Sequence, residues 1–126
     1  MLAKDNKVVV NNIPGAKNIE RDVIQFISQE TRNVLLNVGI ENLKYMEEIR
    51  LRAGRPLMVH NQKGSWFVRP DGSLRKVDKN SFIVGQKDVI RTLELISENS
   101  IYAYQEEIRR GYITLKGGHR VGISGK

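Results

Sequence analysis

The chain has 126 residues, 40% of them hydrophobic and 28% charged, with a formal net charge of +7 at pH 7. That is enough chain for one domain with an ordinary core, and no apolar run approaches the ~18 residues a membrane span needs. Cysteine is absent, which excludes disulfides and thiolate metal sites and is compatible with a reducing cytoplasm. The positive excess suits an anionic partner. However, the basic residues are scattered among acids, and the longest like-sign runs are pairs such as Arg109-Arg110.

Residues 1–17 read as a loosely ordered arm with one edge strand at Val8–Val10, too short an apolar stretch for a signal-peptide core. Residues 18–126 read as a folded domain. Asn18 is placed to cap a helix from Ile19, in which Ile19, Val23, Ile27, Val34 and Val38 form an apolar face, flanked by Phe26 and Leu35 and ended by Gly39. A turn carrying Leu43, Tyr45 and Met46 is expected to tuck beneath a sheet.

The period then changes. Glu48-Ile-Arg-Leu-Arg52 alternates, so Ile49 and Leu51 face inward from a strand. Gly54-Arg55-Pro56 breaks it. Leu57–His60 and Trp66–Arg69 are strands around a hairpin loop at Asn61–Gly64, and Pro70-Asp71-Gly72 is a tight turn. A helix starts at Lys87 or Asp88, burying Val89, Ile90, Leu93 and Ile96. Ser100 caps another that ends at Gly111. Tyr112–Leu115 and His119–Ile123 pair across Lys116-Gly117-Gly118, glycines that tolerate hairpin-turn angles. The order predicts an α+β fold: a small antiparallel or mixed sheet with helices on one face. Ile49, Leu51, Val59, Val89, Leu93, Ile108, Ile113 and Val121 are the expected core.

No catalytic constellation emerges, and no metal site. His60 and His119 lie far apart in sequence; His60 reads as a surface strand residue and His119 as completing a turn. The neighbours Glu47-Glu48 and Glu106-Glu107 point in different directions and suit salt bridges better than acid–base work. Gly122-Ile-Ser-Gly-Lys126 resembles the end of a phosphate-binding loop, but Arg120 stands where its first glycine belongs. Gly122 and Gly125 share the Gly-x-x-Gly spacing of KH domains, yet they trail a strand. The arginines remain. Arg50, Arg52 and Arg55 line one strand and its turn, and Arg109, Arg110 and Arg120 gather near the last hairpin. Guanidinium groups suit carboxylate or phosphate.

Two blocks, Glu47-Glu-Ile-Arg-Leu-Arg-Ala-Gly-Arg-Pro-Leu57 and Ser100–Ile123, resemble the signatures of the stage III sporulation protein AA family of spore-forming bacteria. The resemblance spans about residues 40–126. It implies similarity to type II and type IV secretion ATPases, in which an N-terminal domain precedes a RecA-like motor core. The chain would then be that non-catalytic N-terminal domain, with the core beyond Lys126, at the cytoplasmic mother-cell side of the mother cell–forespore channel. ATP and Mg would belong to the full-length protein and not to this segment. The implied partners are the protein's own C-terminal core, neighbouring subunits of a hexameric ring and other channel proteins. Arg109, Arg110, His119 and Arg120 are the candidates for nucleotide-proximal or interdomain contact. The alternative is a small basic nucleic-acid-binding module built on Trp66, Phe67 and the strand arginines; the RNP-type aromatic motif it would need is missing.

Overall fold

A computed structural model describes residues 7–11, 23–96, 112–114 and 120–124 of the chain. In order, the elements are β1 (Lys7–Asn11), a 3₁₀ turn (Ile24–Phe26), α1 (Gln29–Val38), α2 (Ile40–Leu43), β2 (Glu48–Arg52), β3 (Met58–Asn61), β4 (Gly64–Val68), β5 (Leu74–Arg75), α3 (Gln86–Ile96), β6 (Tyr112–Thr114) and β7 (Arg120–Ser124). The strands form one seven-stranded sheet in the order β5-β4-β3-β2-β1-β7-β6, and every pairing is antiparallel. The fold is α+β, as the pattern of periods predicts.

Strand alternation explains which side is dry. Val8 and Val10 stand opposite Leu51 and Ile49, Ile49 opposite Val59, and Val10 opposite Val121. All six are buried, and residues directly opposite in antiparallel strands share a face. α3 packs on β1 and β2 and α1 on β4, adding Val34, Leu35, Val38, Val89 and Ile96 to the same core.

One expectation is reversed. The strand at Val8–Val10 is no edge strand of a loose arm: β1 lies between β2 and β7 and is hydrogen-bonded on both sides. Three consecutive valines carry the β-branched preference for strands, but their neighbours come from residues 48–52 and 120–124, which local pattern does not reveal. The other residues of the expected arm, and Ser100–Gly111, lie outside the described residues.

The predicted first helix is divided in two. Val23, Ile27, Val34 and Val38 are buried as expected, but Ser28 has extended backbone (φ −54°, ψ 150°) and starts α1 as its N-cap. Its hydroxyl does not cap the helix. It donates to Asp88 Oδ1 at 2.9 Å, while its N–H donates to Thr92 Oγ1 at 3.0 Å. Asp88 Oδ2 accepts the Gly85 N–H at 3.0 Å, the backward half of a capping box at the start of α3. These contacts tie α1 to α3 and outweigh helix continuation through Ser28. Within α3, Ile90 is exposed, and Thr92 takes the buried place expected of it. Leu93 packs part-buried against the core.

Turns follow local chemistry closely. Gly39 closes α1 at φ +99°, with its N–H on the Leu36 carbonyl. Asn61 and Gly64 are the last pair of the β3–β4 hairpin. Gly72 closes its turn at φ +89° through an N–H to the Arg69 carbonyl.

Candidate contact surface

β2 carries Glu48, Arg50 and Arg52 on the face opposite its buried Ile49 and Leu51. Register extends that face sideways. Arg50 stands opposite Val9 on one side and Met58 on the other; Met58 is opposite Phe67, and Phe67 opposite Arg75. Val9, Arg50, Met58, Phe67 and Arg75 thus form one row across five strands, roughly 20 Å long at the usual strand spacing. The three apolar members are half-buried and Arg75 is exposed. None of the three belongs to the cluster that packs against the main core.

The Arg50 guanidinium pairs with Glu48 on its own strand. Arg52 is exposed, opposite Lys7 in the register. Arg55 is exposed in the turn after β2, where its backbone is held by the Arg52 carbonyl and by the Val84 N–H. His60 flanks the row, with Nε2 3.6 Å from Glu47 and Nδ1 3.0 Å from Ser65 Oγ. The adjacent acids therefore point to different partners, Glu47 to the His60 imidazole and Glu48 to the Arg50 guanidinium, and do not form a dyad.

Of the hairpin group, the backbone of Arg120 stands opposite Asn11, which is itself opposite Glu48. The topology thus brings Arg120 onto the same sheet as Arg50, two strands away. Arg109, Arg110 and His119 lie outside the described residues. Sequence reading missed Arg75, because β5 has only two residues and shows no period. The aromatic pair is also divided. Phe67 joins the arginine row, while Trp66 packs against the core, donates Nε1–H to Asn61 Oδ1 at 3.1 Å and carries the Lys76 ammonium 3.9 Å from its ring centroid. That removes one of the two aromatics on which a nucleic-acid platform would rest.

Gly122 sits mid-strand in β7, opposite both Val9 and Tyr112, so the backbone there is spent on the ladder and does not wrap a phosphate. Gly125, the other glycine of the Gly-x-x-Gly spacing, lies outside the described residues. Among the described residues no group of three or more His, Asp or Glu is placed to hold a metal ion, and no helix is long and apolar enough to cross a membrane.

Comparison with known proteins places the chain in a family. The family model for sporulation stage III, protein AA matches residues 17–126. Stage III sporulation protein AA of Bacillus subtilis (strain 168) is 25% identical over 105 residues, which cover 83% of this chain and 30% of that protein. The chain thus spans less than a third of the length of the relative it matches, and no solved structure matches it. The extent of the family match, 17–126, takes in α1, the arginine strand and the closing hairpin alike, and on that ground the chain belongs to the sporulation stage III, protein AA family.

Proposed function

We propose that this chain acts in sporulation as the non-catalytic N-terminal domain of a secretion-type ATPase, and that its work is contact: with its own motor core, with neighbouring subunits of a ring, and with other proteins of the mother cell–forespore channel. The observation that carries this reading is the row Val9, Arg50, Met58, Phe67 and Arg75, with Arg52 beside it. Apolar groups of moderate exposure framed by arginines have the make-up of a protein interface, where Arg, Met and Phe are enriched. A sheet presents them on an ordered backbone, which leaves side-chain ordering as the cost at binding. The match to less than a third of a longer relative supports a domain working beside others. ATP and Mg would be held by the remainder of the full-length protein, and the domain would transmit nucleotide state by tilting as a body. Arg109, Arg110, His119 and Arg120 are proposed to face the core.

The test uses the full-length protein and this chain together. Arg52→Glu with Arg75→Glu changes two exposed cations, so the melting curve of the 126-residue chain is expected to move by less than ~0.5 kcal/mol. In the full-length protein the same pair is expected to lower ring assembly and ATPase turnover at least several-fold. Unchanged assembly and turnover, with the chain equally stable, would overturn the contact role of this face.

A further inference from the structure

A second feature lies away from the arginine row. A cleft of about 350 Å³ opens where the end of α2, the turn after it, the β3–β4 hairpin and β5 meet. This is the small end of the ~300–1,000 Å³ usual for ligand sites, enough for a short segment of chain. Its floor is Met46, fully buried, and Leu74. Its wall is Tyr45, which the sequence suggested would tuck under the sheet but which stands 56% exposed.

The polar rim has fixed directions. Asn61 Oδ1 accepts two hydrogen bonds, from the Lys63 N–H at 2.8 Å and from Trp66 Nε1–H at 3.1 Å. Both partners are donors, so the amide orientation is settled and its NH₂ is what remains to offer. Asn42 is fixed the other way: its Nδ2 donates to the Val38 carbonyl at 3.2 Å, leaving Oδ1 as acceptor. One donor and one acceptor on the rim match the C=O and N–H of a peptide unit. The charges are uneven as well. Glu41 is paired with Lys44 at 3.1 Å and Glu47 with His60, whereas Lys63, exposed at the hairpin tip, makes no ion pair among the described residues.

We propose that this cleft binds a short acidic peptide segment, with an apolar side chain on Leu74 against Tyr45, above the buried Met46, its backbone on Asn42 and Asn61, and a carboxylate on Lys63. A nucleotide suits it less well. A single lysine is little for a phosphate, which carries more charge than one carboxylate. The proposal requires nothing of the arginine row.

The experiment titrates the ¹⁵N-labelled chain with a capped Leu-Glu-Leu-Glu peptide, a capped Leu-Lys-Leu-Lys peptide and adenosine monophosphate. The acidic peptide is expected to shift the side-chain amide signals of Asn42 and Asn61. It should also change the emission of Trp66, the chain's single tryptophan, whose indole is bound to Asn61. Lys63→Glu is expected to weaken that binding about tenfold, the size of one charge-assisted hydrogen bond, without changing the melting curve. Tyr45→Ala should weaken it too. The proposal is overturned if millimolar acidic peptide leaves Asn42 and Asn61 unmoved, if the lysine peptide or the nucleotide binds as well, or if Lys63→Glu binds like the parent.

Discussion

Two glycines show how much a single residue is asked to do. Gly54 and Gly72 both have φ in the left-handed region, +76° and +89°. A Cβ on Gly54 would meet open space, whereas one on Gly72 would lie 2.3 Å from the carbonyl carbon and oxygen of Asn37, in α1. Gly54→Ala therefore carries only the backbone penalty of about 1–2 kcal/mol. Gly72→Ala adds a displacement of helix backbone and should lose clearly more. Urea melts of the two variants measure the difference; equal losses would mean that the turn does not press on α1. Beside Gly72, Asp71 Oδ1 accepts the Ser73 hydroxyl at 2.6 Å and the Ser73 N–H at 2.8 Å. These two bonds, the hydroxyl first, hold the Asp71 carboxyl below its ordinary pKa. A lowered folded pKa means that the contribution is present above the unfolded value and lost as pH falls through the folded one, so this turn loosens below the ordinary carboxylate pKa. Ser73→Ala should raise the Asp71 midpoint toward the ordinary value, as read by carboxyl-carbon NMR titration.

At the scale of elements, β1 decides whether the sheet exists as one unit. It joins β2–β5 on one side to β7 and β6 on the other. A chain beginning at Asn12 should therefore lose cooperative unfolding by circular dichroism, whereas a dispensable arm would leave the transition intact. Legibility in the sequence follows the same division between near and far. The β3–β4 hairpin, the Gly39 stop and the alternation of β2 were readable, because turn chemistry and side-chain period act over a few residues. The central place of β1 was not, since its partners lie about 40 and about 110 positions further along the chain. The break at Ser28 was hidden for a similar reason: its hydroxyl is claimed by Asp88, 60 positions on. Of the contact surface, Arg50, Arg52 and Arg55 were visible as a strand face and its turn. Their joining with Phe67 and Arg75 needed the register of three further strands. The cleft needed the meeting of α2 with a hairpin tip, which no local pattern encodes.

For the whole molecule, the net charge of +7 is only locally relieved. The described ion pairs of Lys and Arg, Glu41–Lys44, Glu48–Arg50 and Arg91–Glu94, all involve side chains with substantial exposure, and such pairs add little to stability. Among the described cations without an ion pair are Arg52, Arg55 and Arg75 near the sheet face and Lys63 at the cleft, and such a field draws acidic partners and weakens with salt. The antiparallel pairing of β1 with β7 has a mechanical corollary. Lys7, at the start of β1, is opposite Ser124, at the end of β7. The start of β1 and the end of β7 therefore meet at one rung of the ladder. A tug between the two ends loads that rung first and peels the strands apart like a zipper, one pair at a time, instead of shearing the whole ladder at once.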